Sequence, residues 1–243
     1  MKKYTLTLLF LLITITSFAK KLYVGTNAEF PPYEYLDENK LTGFDVELME
    51  LLGEKSGYTI VWKNMSFDGL IPALQTNKID AIIAGMAQTP DRKKAVDFSN
   101  PYLFFDTPHL VLANSNSSFT NKKELKDKIV GVQLGSMQEN FAKNLGANVR
   151  NYNSFLGALL DLKNNKIDGV IISEESGKEY VKSIENIKII DTIQDKVPGA
   201  SIAFKKGSKK TVEDINNALL QLKDSNEYNN LVKKYFPNKT VIQ

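Results

Sequence analysis

The chain has 243 residues, 31 lysines and arginines against 28 acids, a formal net charge of +3 and no cysteine. Without cysteine there is no disulfide, no thiolate metal site and no lipid-modified cysteine. The lysines are interspersed with acids (Lys122, Lys123, Glu124, Lys126, Asp127), which leaves no basic stripe for a nucleic acid. No HExxH, P-loop, GxSxG or Cys–His pair occurs, so no cofactor or metal is expected and hydrolase or nucleotide chemistry lacks its residues.

Lys2 and Lys3 precede an apolar run over residues 6–15, and Ser17-Phe18-Ala19 follows where a signal peptidase reads small side chains. The run is shorter than the roughly 20 residues a bilayer requires. Residues 1–19 therefore read as a secretory signal, with the mature chain starting near Lys20 in the periplasm. Removing Lys2 and Lys3 leaves 29 basic residues against 28 acids, a charge of +1.

Beyond the signal, residues 21–25 read as a strand and 44–55 as a helix with Phe44, Leu48, Leu51 and Leu52 on one face. A strand at 59–62, a helix at 69–76 and a strand at 81–84 follow, the alternation expected of βαβ units around a largely parallel sheet. The order then repeats, with strands at 129–132, 149–152 and 169–172 and helices at 137–145 and 156–163. A literal echo accompanies it: Asn77-Lys78-Ile79-Asp80-Ala81-Ile82-Ile83 returns as Asn165-Lys166-Ile167-Asp168-Gly169-Val170-Ile171.

The sequence thus predicts an α/β fold of two similar lobes. Crossings between them are expected at 106–113, where Pro108 precedes the strand-like run 109–112, and at 198–204. The helices at 212–222 and 228–235 are too few for a domain and should pack on the first lobe. Lobe 1 then covers 20–106 and 204–243, and lobe 2 covers 107–203. Two crossings form a hinge that closes a cleft on a ligand.

In open α/β sheets ligands bind beyond the carboxyl ends of the strands. That selects the loops 26–33, 85–92, 134–138 and 173–175, and Phe67 at the start of a helix. Gly85 lets bare backbone approach a ligand, and the turn through Thr89-Pro90 delivers Arg92, whose guanidinium grips a carboxylate with two parallel hydrogen bonds. In the first loop Asn27 and Glu29 stand among aromatics, and Phe30 can face Phe67 across a flat or aliphatic ligand. Ser136 and Glu139 have capping-box spacing, so a helix with free amide donors for an anion or carbonyl oxygen is expected there. The one histidine, His109, falls in the interlobe strand and reads as structural.

The run from Asp80 to Tyr102, DAIIAGMAQTPDRKKAVDFSNPY, resembles the signature of the bacterial solute-binding proteins that feed polar amino acids to ABC transporters. So do Val24-Gly25-Thr26-Asn27-Ala28-Glu29-Phe30-Pro31-Pro32-Tyr33-Glu34, Gly43-Phe44-Asp45-Val46-Glu47-Leu48, Phe67-Asp68-Gly69-Leu70-Ile71-Pro72-Ala73-Leu74 and Gly131-Val132-Gln133-Leu134-Gly135-Ser136-Met137-Gln138-Glu139. The ending over 228–236 is similar too. The resemblance implies two lobes enclosing a ligand, with Arg92 on its α-carboxylate and backbone groups at Gly85 and Ala87 assisting. It also implies Phe30 and Phe67 sandwiching the side chain and Asn27 reading its end. Three positions depart from the family pattern. Ala87 stands where many members carry a Ser or Thr hydroxyl, and Met137, between Ser136 and Gln138, where a Thr is common. Ser173 stands where an aspartate usually pairs with the α-ammonium, which nominates Glu174, ahead of Glu175 and Glu29.

The expectation is a monomeric, non-catalytic periplasmic protein that takes a polar amino acid to an ABC permease. The neutral amide of Asn27 favours a ligand such as glutamine, and Glu29 keeps arginine or lysine open. One rival is a sensory binding protein that reports to a chemoreceptor. The other is an enzyme resembling the cyclohexadienyl dehydratases, with Glu174 or Glu29 as a general acid of raised pKa.

Overall fold

The computed structural model describes residues 20–103, 108–195 and 199–239. The expected signal segment 1–19, Asp106 and Thr107 of the first crossing, and Pro198 of the second lie outside the described residues.

The chain opens with β1 (Lys20–Thr26) and a small antiparallel sheet of β2 (Glu29–Phe30), β3 (Glu34–Asp37) and β4 (Lys40–Thr42). Then come α1 (Phe44–Ser56), β5 (Tyr58–Asn64), α2 (Phe67–Gln75), β6 (Ala81–Ile82), α3 (Pro90–Ala95) and β7 (Val96–Phe98). The middle supplies β8 (His109–Asn114), β9 (Ile129–Gln133), α4 (Met137–Asn144), β10 (Asn148–Tyr152), α5 (Phe155–Lys163), β11 (Gly169–Ser173), α6 (Glu174–Ser183) and β12 (Ile187–Ile193). β13 (Ala203–Lys205), α7 (Lys209–Lys223) and α8 (Asn226–Tyr235) complete it.

These strands form two five-stranded sheets, ordered β5-β1-β6-β13-β7 and β10-β9-β11-β8-β12. The triplets β5-β1-β6 and β10-β9-β11 are parallel and laid out alike, and each is extended by an antiparallel strand, β13 beside β6 and β8 beside β11. Two lobes of one plan result.

The sequence echo is one structural device used twice. Asn77 and Asn165 lie just past α2 and α5 with φ of 59° and 55°, the left-handed region that asparagine tolerates where a helix ends. Three residues on, Asp80 donates its N–H to Tyr23 O at 2.7 Å and accepts from Tyr23 N–H through Oδ2 at 2.9 Å. Asp168 does the same with Ile129, at 2.8 Å in each direction. Each aspartate pins the start of the third strand to the first strand and fixes register before the apolar residues pair.

In the first lobe α1 buries Phe44, Leu48, Met49 and Leu52 in one core with Leu22 and Val24 of β1. Ile215, Leu219 and Leu222 of α7 and Leu231 and Val232 of α8 join that core, so the last two helices pack where their apolar faces require. Gly57, at φ 76°, ends α1 by donating to Glu54 and Gly53 carbonyls. In the second lobe β8 and β11 are buried along their whole length, the signature of strands covered on both faces.

Three expectations need correction. The run at 109–112 is not a link between lobes: it begins β8, which pairs with β11 and β12 inside the second sheet. Strand pairing at 81–84 covers only Ala81 and Ile82, because the chain turns at Gly85 (φ 54°). Glu174 and Glu175, expected in a loop, start α6.

Replacing the pinning carboxylates gives a direct test of the device. Asp80→Ala and Asp168→Ala should each lower stability by about 1 kcal/mol, the ordinary net worth of one such hydrogen bond. The two losses should add in the double variant, because the sites lie in different sheets. Urea denaturation of the three variants checks both points.

Candidate ligand-binding site

Between the two sheets lies a cleft that is partly open to solvent. The first lobe lines it with Asn27, Phe30, Phe67, Gly85, Ala87 and Arg92, and the second with Ser136, Met137, Gln138 and Ser173. Ten of the residues expected from the sequence thus meet in one space. Tyr33, Glu34, Gln133, Phe155, His109 and Asp195 line it as well.

Arg92 sits in the first turn of α3, whose N-cap, Thr89, accepts from the Arg92 N–H through Oγ1 at 3.3 Å. Its guanidinium lies 5.2 Å from the Phe67 ring centre, donates from Nη1 to Ala87 O at 3.1 Å, and reaches across the cleft from Nη2 to Gly135 O at 3.1 Å. Among the described residues it has no ion pair with a carboxylate. Burial lowers its pKa to about 10, so it stays a cation at neutral pH.

Gly85 lines the cleft, but its N–H is committed to Asp45 Oδ2 at 2.8 Å rather than aimed into the space. A Cβ there would stand 2.9 Å from the Phe30 ring, and φ is 54°, so only glycine fits. Asp45 Oδ2 also accepts from Tyr102 OH at 2.6 Å. Desolvation raises the Asp45 pKa to about 6, and desolvation with the neighbouring Asp45 charge raises Glu34 well above the usual carboxylate range. Glu34 and Asp45 are thus two buried carboxyls side by side in the first lobe.

Asn27, the first residue after β1, donates from Nδ2 to Met65 O at 3.1 Å and accepts at Oδ1 from Gln133 Nε2, across the cleft, at 2.8 Å. Phe30 stacks on Tyr33 at 5.1 Å and on Phe155 of the other lobe at 5.9 Å. The second lobe presents polar atoms. Among the described residues, Ser136 Oγ, Ser173 Oγ and His109 Nε2 are buried and make no hydrogen bond. His109 Nδ1 lies 3.1 Å from Gln138 Nε2.

Four sequence expectations are corrected here. Glu174 does not line the cleft: its carboxylate lies 3.0 Å from Lys178 Nζ and 3.2 Å from Lys239 Nζ. Glu29 does not line it either; it is the first residue of β2, and its carbonyl accepts from Tyr180 OH at 2.8 Å. Ser136 caps α4 without a side-chain hydrogen bond, and Glu139 pairs instead with Lys143 at 2.6 Å. His109 is not a remote structural residue but part of the cleft wall. Asp195 was missed because β12 was not read as a strand. Applied to β12, the strand-end rule selects the residues just after Ile193.

Two lobes of one plan around a cleft with a cation in its wall define a protein that encloses a small anionic or zwitterionic solute. Residues 22–238 match the model of the bacterial extracellular solute-binding proteins, family 3, and the chain belongs to that family. It is 37% identical over 223 residues to the arginine-binding extracellular protein ArtP of Bacillus subtilis (strain 168), covering 89% of this chain and 86% of that one. A probable histidine-binding protein of Campylobacter jejuni is 39% identical over 218 residues, 88% of this chain and 84% of the other. Among solved structures, an ancestral arginine-binding protein bound to glutamine superposes with a TM-score of 0.83 at 40% identity, covering 89% of this chain and 97% of that one.

The buried acid beneath the cleft gives a pH signature. Because the folded pKa of Asp45 is raised to about 6, the folded state keeps a proton that the unfolded chain has released from about pH 4 upward. This group's contribution to stability is therefore lost as pH rises through that window. Asp45→Asn keeps an acceptor for Gly85 and Tyr102 and removes the charge. Relative to the wild type it should gain stability between pH 4 and pH 7, by up to about 3 kcal/mol. Melting curves at both pH values check this, and a constant difference would contradict it.

Proposed function

We propose that this chain captures a polar amino acid between its lobes, holds the carboxylate on Arg92, and hands the ligand to an ABC transporter permease as a non-catalytic periplasmic protein. The observation that carries the reading is Arg92: a cation in the cleft whose acceptors are two main-chain carbonyls. A ligand carboxylate offers the guanidinium a paired, charge-assisted contact that carbonyls do not. The aromatic rings of Phe30 and Phe67 suit the aliphatic part of a side chain, and the amides of Asn27 and Gln133 suit a polar end. The relatives named for arginine and histidine, and the ancestral structure bound to glutamine, support that ligand class.

Lobe closure belongs to the same proposal. Gln133 with Asn27, Gly135 with Arg92 and Tyr180 with Glu29 join the lobes across the cleft. A ligand that touches both walls shifts the population toward this arrangement. The dehydratase reading relied on Glu174 or Glu29 as its acid, and neither lines the cleft.

Losing one partner of a desolvated charge pair costs about 2–5 kcal/mol. Arg92→Ala should therefore weaken amino acid binding by roughly thirty- to several-thousand-fold. Arg92→Lys keeps the charge without the planar fork and should still lose about tenfold or more. Calorimetric titration checks both variants, and wild-type affinity in Arg92→Ala would remove the assignment.

A further inference from the structure

We infer that Asp195, positioned beside His109, receives the ammonium group of the ligand whose carboxylate rests on Arg92. The inference deepens the amino acid reading above and rests on it. An ammonium enclosed in a cleft is costly without an anionic partner. Among the described residues lining the cleft there are two carboxyls, Glu34 and Asp195. Glu34 is 1% exposed beside Asp45, and a second negative charge there would face the first without water. It is poorly placed to supply an anion.

Asp195 is placed by topology. β8 runs antiparallel to both β11 and β12, so its first residue, His109, pairs with Ser173 on one side and Ile193 on the other. The start of β8 and the ends of β11 and β12 therefore share one sheet edge, and that edge faces the cleft. Asp195 follows β12 by two residues, and its Oδ2 lies 3.7 Å from His109 Nε2. With His109 Nδ1 facing the Gln138 amide at 3.1 Å, the imidazole is held edge-on toward the carboxylate. Arg92 stands on the first lobe and Asp195 on the second. A zwitterion thus bridges the lobes through its two charges, whereas a plain carboxylate engages one wall.

The test compares each amino acid with its des-amino analogue by calorimetry: L-arginine with 5-guanidinopentanoate, L-histidine with 3-(imidazol-4-yl)propanoate, and L-glutamine with 4-carbamoylbutanoate. Asp195→Asn should weaken binding of the amino acids that the wild type binds by at least about tenfold and shift binding of their analogues by less than about threefold. Ser173→Asp, which puts a carboxylate beside His109 in the strand register, should restore part of the lost affinity in the Asp195→Asn background. Asp195→Ser serves as the second variant should Asn fail to fold, as judged by its melting curve. Equal losses for amino acid and analogue, or no loss for either, would overturn the Asp195 assignment while leaving Arg92 in place. A wild type that binds none of the three amino acids would overturn the amino acid reading and this inference with it.

Discussion

Arg92 gives up hydration when it enters the cleft, and the protein returns it dipoles and an aromatic face rather than a full negative charge. Ala87 and Gly135 supply carbonyl oxygens, and Phe67 lies beneath the guanidinium. Those contacts hold the fork in place, and the Thr89 cap fixes the turn that carries it. They do not neutralise it, and a desolvated cation without an anion is a costly arrangement. The rest of the site answers to that demand. Gly85 brings backbone close under Phe30 and Asp45 secures the Gly85 amide, while among the described residues no carboxylate forms an ion pair with the guanidinium.

Apart from the stacking of Phe30 on Phe155, the lobes meet through polar contacts of individually modest worth. Asn27 with Gln133 and Glu29 with Tyr180 are single hydrogen bonds, of order 1 kcal/mol net each. Lys239 spans from the end of the chain to Glu174 and Glu175 at 3.2 and 2.9 Å, and partly exposed ion pairs of that kind contribute 1 kcal/mol or less, roughly. Such contacts fix the orientation of the lobes without locking it. In the proposed function, a ligand held from both walls decides the balance, as a binding protein that must also release its cargo requires.

How far the sequence could be read depended on whether the signal was local. The face of Phe44, Leu48 and Leu52 announced α1, and the repeated Asn-Lys-Ile-Asp announced two lobes because it caps a helix and pins a strand within four residues. Arg92 was legible because a glycine, a threonine cap and a proline precede it in order. His109 and Asp195 were not. His109 belongs to the cleft because β8 is antiparallel to its neighbours, which turns the start of the strand toward the site. β12 breaks its pairing with a bulge between Ile189 and Asp191, which hides its alternation and with it the residue just beyond its end. Glu174 misled by adjacency: one step past Ser173 the chain is already in α6, where the side chain turns to Lys178 and Lys239.

In the proposed function, a carboxylate delivered by the ligand completes the environment of Arg92. Calorimetric titration of the wild-type protein with L-arginine, L-histidine and L-glutamine against their α-carboxamides checks this, because the amide keeps the shape and the ammonium and replaces the charged oxygen with an uncharged NH2 group that cannot accept from the guanidinium. The free acids should bind at least about a hundredfold more tightly than the amides, a difference of roughly 2.7 kcal/mol. Equal affinities for acid and amide would contradict it.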